Sequence, residues 1–268
     1  MAQGSRGEAR PASHGTGRAR RVAIPLVTTL AILVAWQLLV VCGIVPNFML
    51  PTPTQVIAAL VGDFPLLVSN SATTLAESAL GLVIGCAVGF AFAVLMDRFE
   101  GFRLAFSPLI TISQTIPTIA VAPILILWLG YGLAPKVVLV VLTTFFPITV
   151  SLVSGFQSVD PDMVDLMRTM NATRWQIFWQ VKMPDAAEQF FSGLRISATY
   201  AIVGAVISEW LGGFSGLGVY MTRVRKSFSY DRMFAVIIII SALSLALMGL
   251  VDALQRLCMP WKRAEGEK

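Results

Sequence analysis

Apolar runs of spanning length, separated by short charged or proline-rich stretches, set the pattern of this chain. Crossing the hydrocarbon core of a bilayer takes about 20 predominantly apolar residues. Residues 22–45, 74–96, 104–129, 136–156, 193–211 and 233–251 meet that need, which predicts an all-α integral membrane protein of about six transmembrane helices within residues 22–261. The Gly-, Ser-, Ala- and Arg-rich residues 1–21 read as a disordered cytoplasmic tail. The run that follows is too long for a signal-peptide core, and no A-x-A site closes it. Residues 262–268 form a second cytoplasmic tail.

The interruptions are as informative as the runs. Pro46, Pro51, Pro53 and Pro65 surround a short surface helix expected at 54–61 in an outer loop. Gly81, Gly85 and Gly89 recur every four residues, giving the second span a smooth face for close helix packing. No charge occurs from Leu104 to Pro135, but Ser113, Gln114 and Thr115 lie beside Pro117 and make a polar break in the third span. Pro147 predicts a kink in the fourth.

Residues 157–192 are the longest polar stretch between spans. Asp160-Pro161 reads as an N-cap followed by proline at the first helical position. Thr173-x-x-Gln176 fits a capping box opening a second short helix, which is expected to stop near Pro184. Asn171 between them suits a left-handed turn.

Composition sharpens the membrane reading. Hydrophobic residues make up 56% of the 268, and charged residues 13%, about half the usual share for a soluble domain. The net charge of +5 does not point to nucleic acid, because the basic residues sit at the chain ends and between apolar runs. With both termini inside, the cytoplasm receives the arginine-rich tail, Arg98, Arg103, Arg168, Arg174, Lys182 and the basic C-terminus. Arg223, Arg225, Lys226 and Arg232 fall outside, against the positive-inside trend, and so are candidates for a task there. Cys42, Cys86 and Cys258 have no metal or redox spacing, and the one histidine, His14, lies in the tail. No metal site, catalytic residue or bound cofactor is expected. The phosphate-binding pattern Gly-x-x-x-x-Gly-Lys-Ser/Thr is missing from the sequence, so any ATP hydrolysis must belong to another subunit.

The polar stretch resembles the EAA loop of binding-protein-dependent ABC importer permeases. Asp165-Leu166-Met167 stands for E-A-A, Asn171 for the glycine, and Val181-Lys182-Met183-Pro184 for the closing I-x-L-P, with the family's spacing at each step. Asp, Leu, Met and Asn replace the family's usual residues at these places. The likeness covers nearly all of residues 22–261. Ser113-Gln114-Thr115-Ile116-Pro117, the segment 123–130 and Phe145-Phe146-Pro147-Ile148 are similar to the nitrate/sulfonate/taurine group. Glu209-Trp210-Leu211-Gly212, Gly216-Leu217-Gly218 and Ser227-Phe228-x-x-Asp231-Arg232 are most similar to permeases for thiamine pyrimidine precursors and riboflavin.

The resemblance implies a type I importer permease fold in a bacterial inner membrane. It also implies a second permease copy, an ATPase subunit carrying ATP and Mg, and an extracytoplasmic substrate-binding protein. Coupling to the ATPase would fall to Asp165, Leu166, Met167, Asn171, Ala172, Thr173, Trp175, Gln176, Phe178, Val181 and Pro184. The loop's aromatic residues could instead pack it against the bilayer interface. Glu77, Gln114, Thr115 and Glu209 are candidates to line the translocation path, because polar groups in apolar spans are functional suspects. Both glutamates fall near expected outer helix ends, where headgroups or water would serve them, and Glu209 would equally suit a basic partner in the 223–232 segment. Arg223, Arg225 and Lys226 could receive the binding protein or anionic lipid. The rival class is an ATP-independent secondary transporter, which usually shows internal repeats and mid-membrane coupling residues. Neither is evident here.

Overall fold

The computed structural model describes residues 16–260, with side chains from residue 23 onward. Every described regular element is helical: α1 (Thr16–Val41), α2 (Pro53–Gly62), α3 (Phe64–Arg98), α4 (Glu100–Ser113), α5 (Thr118–Leu129), α6 (Leu133–Gln157), α7 (Pro161–Thr169), α8 (Arg174–Ile177), a π turn (Phe178–Lys182), α9 (Met183–Gly212), α10 (Leu217–Lys226) and α11 (Tyr230–Cys258). Among the described residues, five helices are long and apolar enough to span a membrane, or six if the bent pair α4–α5 counts as one span. The tail expected at residues 1–21 lies mostly outside the described residues, but α1 already begins at Thr16 and takes in Arg18, Arg20 and Arg21. The C-terminal tail from residue 262 also lies outside them.

The core is a three-helix layer in which α6 packs between α3 and α9. The glycine stripe explains the first contact. A Cβ on Gly81 would lie 2.5 Å from Val140, and one on Gly85 2.1 Å from Thr144 Oγ1, so α3 and α6 approach more closely than any side chain permits. Thr149 Oγ1 donates to the Gly89 carbonyl at 3.3 Å across the same seam. On the other side Ser197 Oγ of α9 donates to the Thr144 carbonyl at 2.8 Å. α11 then packs on α9 and α2, and α1 touches it through the Trp36–Phe234 ring pair, 5.7 Å between centroids.

The polar break expected in the third span is present, as a bend of 101° between α4 and α5, while two other expectations need correction. Pro117 has no N–H and pushes Ile116 out of the helical region. Thr115 Oγ1 and Ser113 Oγ donate to the carbonyls of Ile112 and Ile110, both at 2.7 Å, at the last turn before the break. The second span starts at Phe64, ten residues before the expected 74, and Asn70 and Ser71 donate to carbonyls four residues back within it. Finally, the loop's second helix does not stop at Pro184. It passes through the π turn, closed by Met183 N–H on the Phe178 carbonyl, and runs on as α9. The wider turn opens the helix where the proline ring would meet a carbonyl one turn back.

The short helix expected at 54–61 is α2, opened by a Thr52/Gln55 capping box. α10, inside the glycine-rich segment 212–232, is an element the pattern reading did not identify. Its buried Leu217, Tyr220 and Val224 repeat at helical spacing, and that periodicity was the available signal.

Candidate functional site

The polar loop folds as its local chemistry dictates. Asp160 caps α7, accepting from Asp162 N–H at 2.9 Å, with Pro161 at the first position. Asn171 takes φ 58° and turns the chain. Thr173 and Gln176 form the reciprocal capping box of α8. The two short helices then divide their apolar residues between two uses. Ile177 and Phe178 are buried, and Phe178 meets Phe156 of α6 at 5.5 Å between ring centroids. Trp175 and Trp179 remain exposed, as do Met163 and Leu166 of α7, a helix with no buried residue, and Met170 at its C-terminal cap.

This apolar patch borders a cleft of about 730 Å³ lined in part by Asp97, Arg168, Thr173, Trp175, Phe178 and Lys182. Lys182 Nζ donates to Asp97 Oδ1 at 2.6 Å and ties the loop to the end of α3. Of the residues singled out from sequence, Asp165 and Leu166 are exposed, and Met167, Ala172 and Val181 are half-buried. Asp165 accepts from Arg168 at 2.9 Å within the exposed face. Met163 and Met170 belong to the patch but escaped the sequence reading, since no motif marks them. A soluble partner is the kind of object such a surface can bind, because exposed apolar clusters with aromatic anchors are where interfaces concentrate their energy.

Toward the opposite end of α9, Glu77 lies within α3 and Glu209 in the last turn of α9, and neither reaches for headgroups. Both are buried, at 3% and 1% exposure. Lys136 Nζ donates to Glu77 Oε1 at 2.6 Å. Glu209 accepts from Thr74 Oγ1 at 2.7 Å and from Gly218 N–H at 2.6 Å. The expected pairing of Glu209 with the 223–232 basic residues is therefore replaced by backbone N–H from the other end of α10. The helix dipole places about half a positive charge at that N-terminus, and together with Lys136 it offsets most of the charge of two carboxylates in one buried region.

Two further side chains complete the cradle. Asn70 Oδ1 accepts from Gly216 N–H and Thr74 Oγ1 accepts from Leu217 N–H, each at 2.9 Å. The N–H groups of Gly216, Leu217 and Gly218 thus each have a side-chain acceptor on α3 or α9. A Cβ on Gly216 would lie 2.1 Å from Glu209 Oε1, and one on Gly218 2.4 Å from the Val206 carbonyl, so only glycine fits there. Asp63, at the α2–α3 junction, accepts from Tyr220 Oη at 2.5 Å and pairs with Arg232 Nε at 3.1 Å. Burial, then the Asp63 carboxylate beside it, hold the Tyr220 phenol well above its ordinary range.

The four path candidates therefore separate. Glu77 and Glu209 sit together inside the bundle, whereas Gln114 and Thr115 are exposed at the α4–α5 break. Arg223, Arg225 and Lys226 are exposed on the last turn of α10, a favourable place for cations. Lys136, Asn70, Thr74 and Asp63 were not picked out by sequence, for each takes its role from a partner far along the chain.

Comparison with known proteins gives the following. Residues 81–258 match the model of the "Binding-protein-dependent transport system inner membrane component" family. A probable ABC transporter permease protein of Haemophilus influenzae is 35% identical over 232 residues, covering 87% of this chain and 95% of that one. The formylaminopyrimidine transport permease protein ThiX of Halalkalibacterium halodurans is 36% identical, over 81% of this chain and 88% of its own length. The riboflavin transport system permease protein RibX of Chloroflexus aurantiacus is 31% identical, over 88% and 89%. Among solved structures, the MetNI methionine ABC transporter in an inward-facing conformation superposes with TM-score 0.65 at 19% identity, over 72% of this chain and 96% of that one.

Proposed function

We propose, from the premise that this chain belongs to the binding-protein-dependent transport system inner membrane component family and is an ABC importer permease subunit, that it carries a thiamine pyrimidine precursor into the cytoplasm. The likeness to ThiX over most of both chains supports that cargo. Riboflavin is the second reading, favoured by the likeness to RibX. The cargo would arrive on a substrate-binding protein, and ATP and Mg would be held by a separate ATPase subunit, with both termini of this chain in the cytoplasm.

The observation that carries the mechanism is the exposed patch of Met163, Leu166, Met170 and Trp175 on a loop locked to the core through Ile177, Phe178 and Lys182. Such a surface can receive a push without folding away from it. The ATPase docks there, and its ATP-driven closure shifts the loop and, through α9, the spans. Two copies of this chain form the path, with the exposed Gln114 and Thr115 facing it at the α4–α5 break. Glu77 and Glu209 hold the protomer together and do not touch cargo. Arg223, Arg225 and Lys226 draw the acidic face of the binding protein.

The test is reconstitution in vesicles with the co-purifying ATPase and binding protein. ATP-dependent uptake of labelled formylaminopyrimidine, competed weakly by riboflavin, is the expected result. Preference for riboflavin would promote the second cargo. Uptake by this chain alone, without ATP, would overturn the importer mechanism in favour of a secondary transporter.

A further inference from the structure

The cradle at the start of α10 joins this helix, exposed only at its basic end, to the same helical body that ends in the polar loop. Glu209 lies in the last turn of α9. From there the helix runs back through the π turn to Arg174, so the 39-residue segment Arg174–Gly212 bears Glu209 near one end and Trp175 at the other. An ordinary surface helix leaves its first N–H groups to water. Those of Gly216, Leu217 and Gly218 are instead held by Asn70, Thr74 and Glu209, and the two glycines leave no clearance for sliding. The opposite end of α10 carries the exposed Arg223, Arg225 and Lys226. A load on that basic end must therefore either break a charge-assisted hydrogen bond or move α9.

We propose that Glu209 is a positioning residue, through which the outer helix α10, loaded by the binding protein, sets the position of α9 and hence of the Trp175 loop. Thr74 acts with it, because its hydroxyl donates to Glu209 while accepting from Leu217 N–H. This rests on the docking role of Arg223, Arg225 and Lys226 proposed above. Asn70 and Asp63 brace the helix, whereas Glu209 alone belongs to the helix that continues into the loop.

The experiment uses the whole transporter in nanodiscs: this chain, its ATPase and its cargo-loaded binding protein at saturation. The readout is the ratio of ATP hydrolysis with binding protein to hydrolysis without it. Glu209→Gln and Thr74→Val are expected to lower that ratio by about fivefold or more, the lower range for coupling between sites. Thr74→Ser, which keeps the hydroxyl, is expected to retain it. Loss of folded protein lowers both rates together and leaves the ratio where it was, so an unchanged ratio in Glu209→Gln or Thr74→Val overturns the proposal. A Thr74→Ser ratio as low as that of Thr74→Val overturns it too. An unmutated transporter that the binding protein does not stimulate, or that binds equally well after charge reversal at Arg223, Arg225 and Lys226, overturns the docking role itself. That failure is visible before any cradle variant is made.

Discussion

Lys136 reaches Glu77 across 2.6 Å between α6 and α3, and neither side chain has more than a few per cent of its surface exposed. A buried pair of this kind costs much desolvation, yet losing one partner costs more, since the other charge is stranded. Glu77→Leu or Lys136→Met alone is expected to destabilise the protomer by about 3–5 kcal/mol. The double replacement should recover most of that loss. Thermal unfolding of detergent-purified single and double variants measures both, and a double variant no better than the singles would contradict the pairing.

Gly85 faces Thr144 with no space between them. Gly85→Ala should cost about 1–3 kcal/mol through overpacking, and the added Thr144→Ala should return a large part by removing the Oγ1 that the new methyl meets. The unfolding midpoints of the three variants provide the comparison.

Asn171, at φ 58°, joins α7 to α8. Asn171→Gly should fold as well as the native chain, whereas Asn171→Val should cost about 1–2 kcal/mol, the left-handed penalty for an ordinary side chain. Because the loop is where the ATPase is placed, ATP-driven uptake should follow the same order.

Trp175 and Phe178 are ring neighbours, 6.0 Å apart, with opposite fates on substitution. Trp175→Ala should leave the unfolding midpoint near that of the native chain and weaken ATPase retention by about 30-fold, corresponding to a hot spot of about 2 kcal/mol. Phe178→Ala should instead lower stability by about 3–5 kcal/mol, as for a buried aromatic ring. Pull-down under mild detergent and calorimetry separate the two effects.

Tyr220 keeps its proton in the folded chain to higher pH than in the unfolded one. Its contribution is therefore fully present below about pH 10, the ordinary tyrosine range, and is lost as pH rises from there toward the raised folded value. Stability should fall with alkaline pH, and Tyr220→Phe should flatten that part of the curve. A slope unaltered by the substitution would place the alkaline loss elsewhere.

Local chemistry was readable and remote partnership was not. The caps at Asp160 and Thr173 and the turn at Asn171 each follow from residues within three positions, so the loop's fold is written in its own segment. The glycine stripe foretold a close seam, though not that α6 fills it. Thr74 and Glu209 stand 135 residues apart, and nothing near either one announces the other. The misplaced start of α3 had the same origin. Polar residues at 70–74 look like a loop until their hydroxyls and amides find carbonyls and the α10 backbone. Pro184 misled because the remedy for a helix-breaking residue lies in an altered turn ahead of it.

That altered turn fixes an angle. In a regular helix each residue advances by about 100°, and a π turn holds one residue more than its α counterpart, a local insertion in the helical count. The residues before Phe178 are thereby rotated in phase against those after Lys182. The compass bearing of Trp175 is consequently set separately from that of Ser197 and Glu209, although one backbone carries all three. Deleting a single residue between 178 and 182 would close the wide turn to an ordinary one and leave the loop face near its present side, whereas a deletion in the regular helix between Met183 and Ser197 would swing it by about 100°.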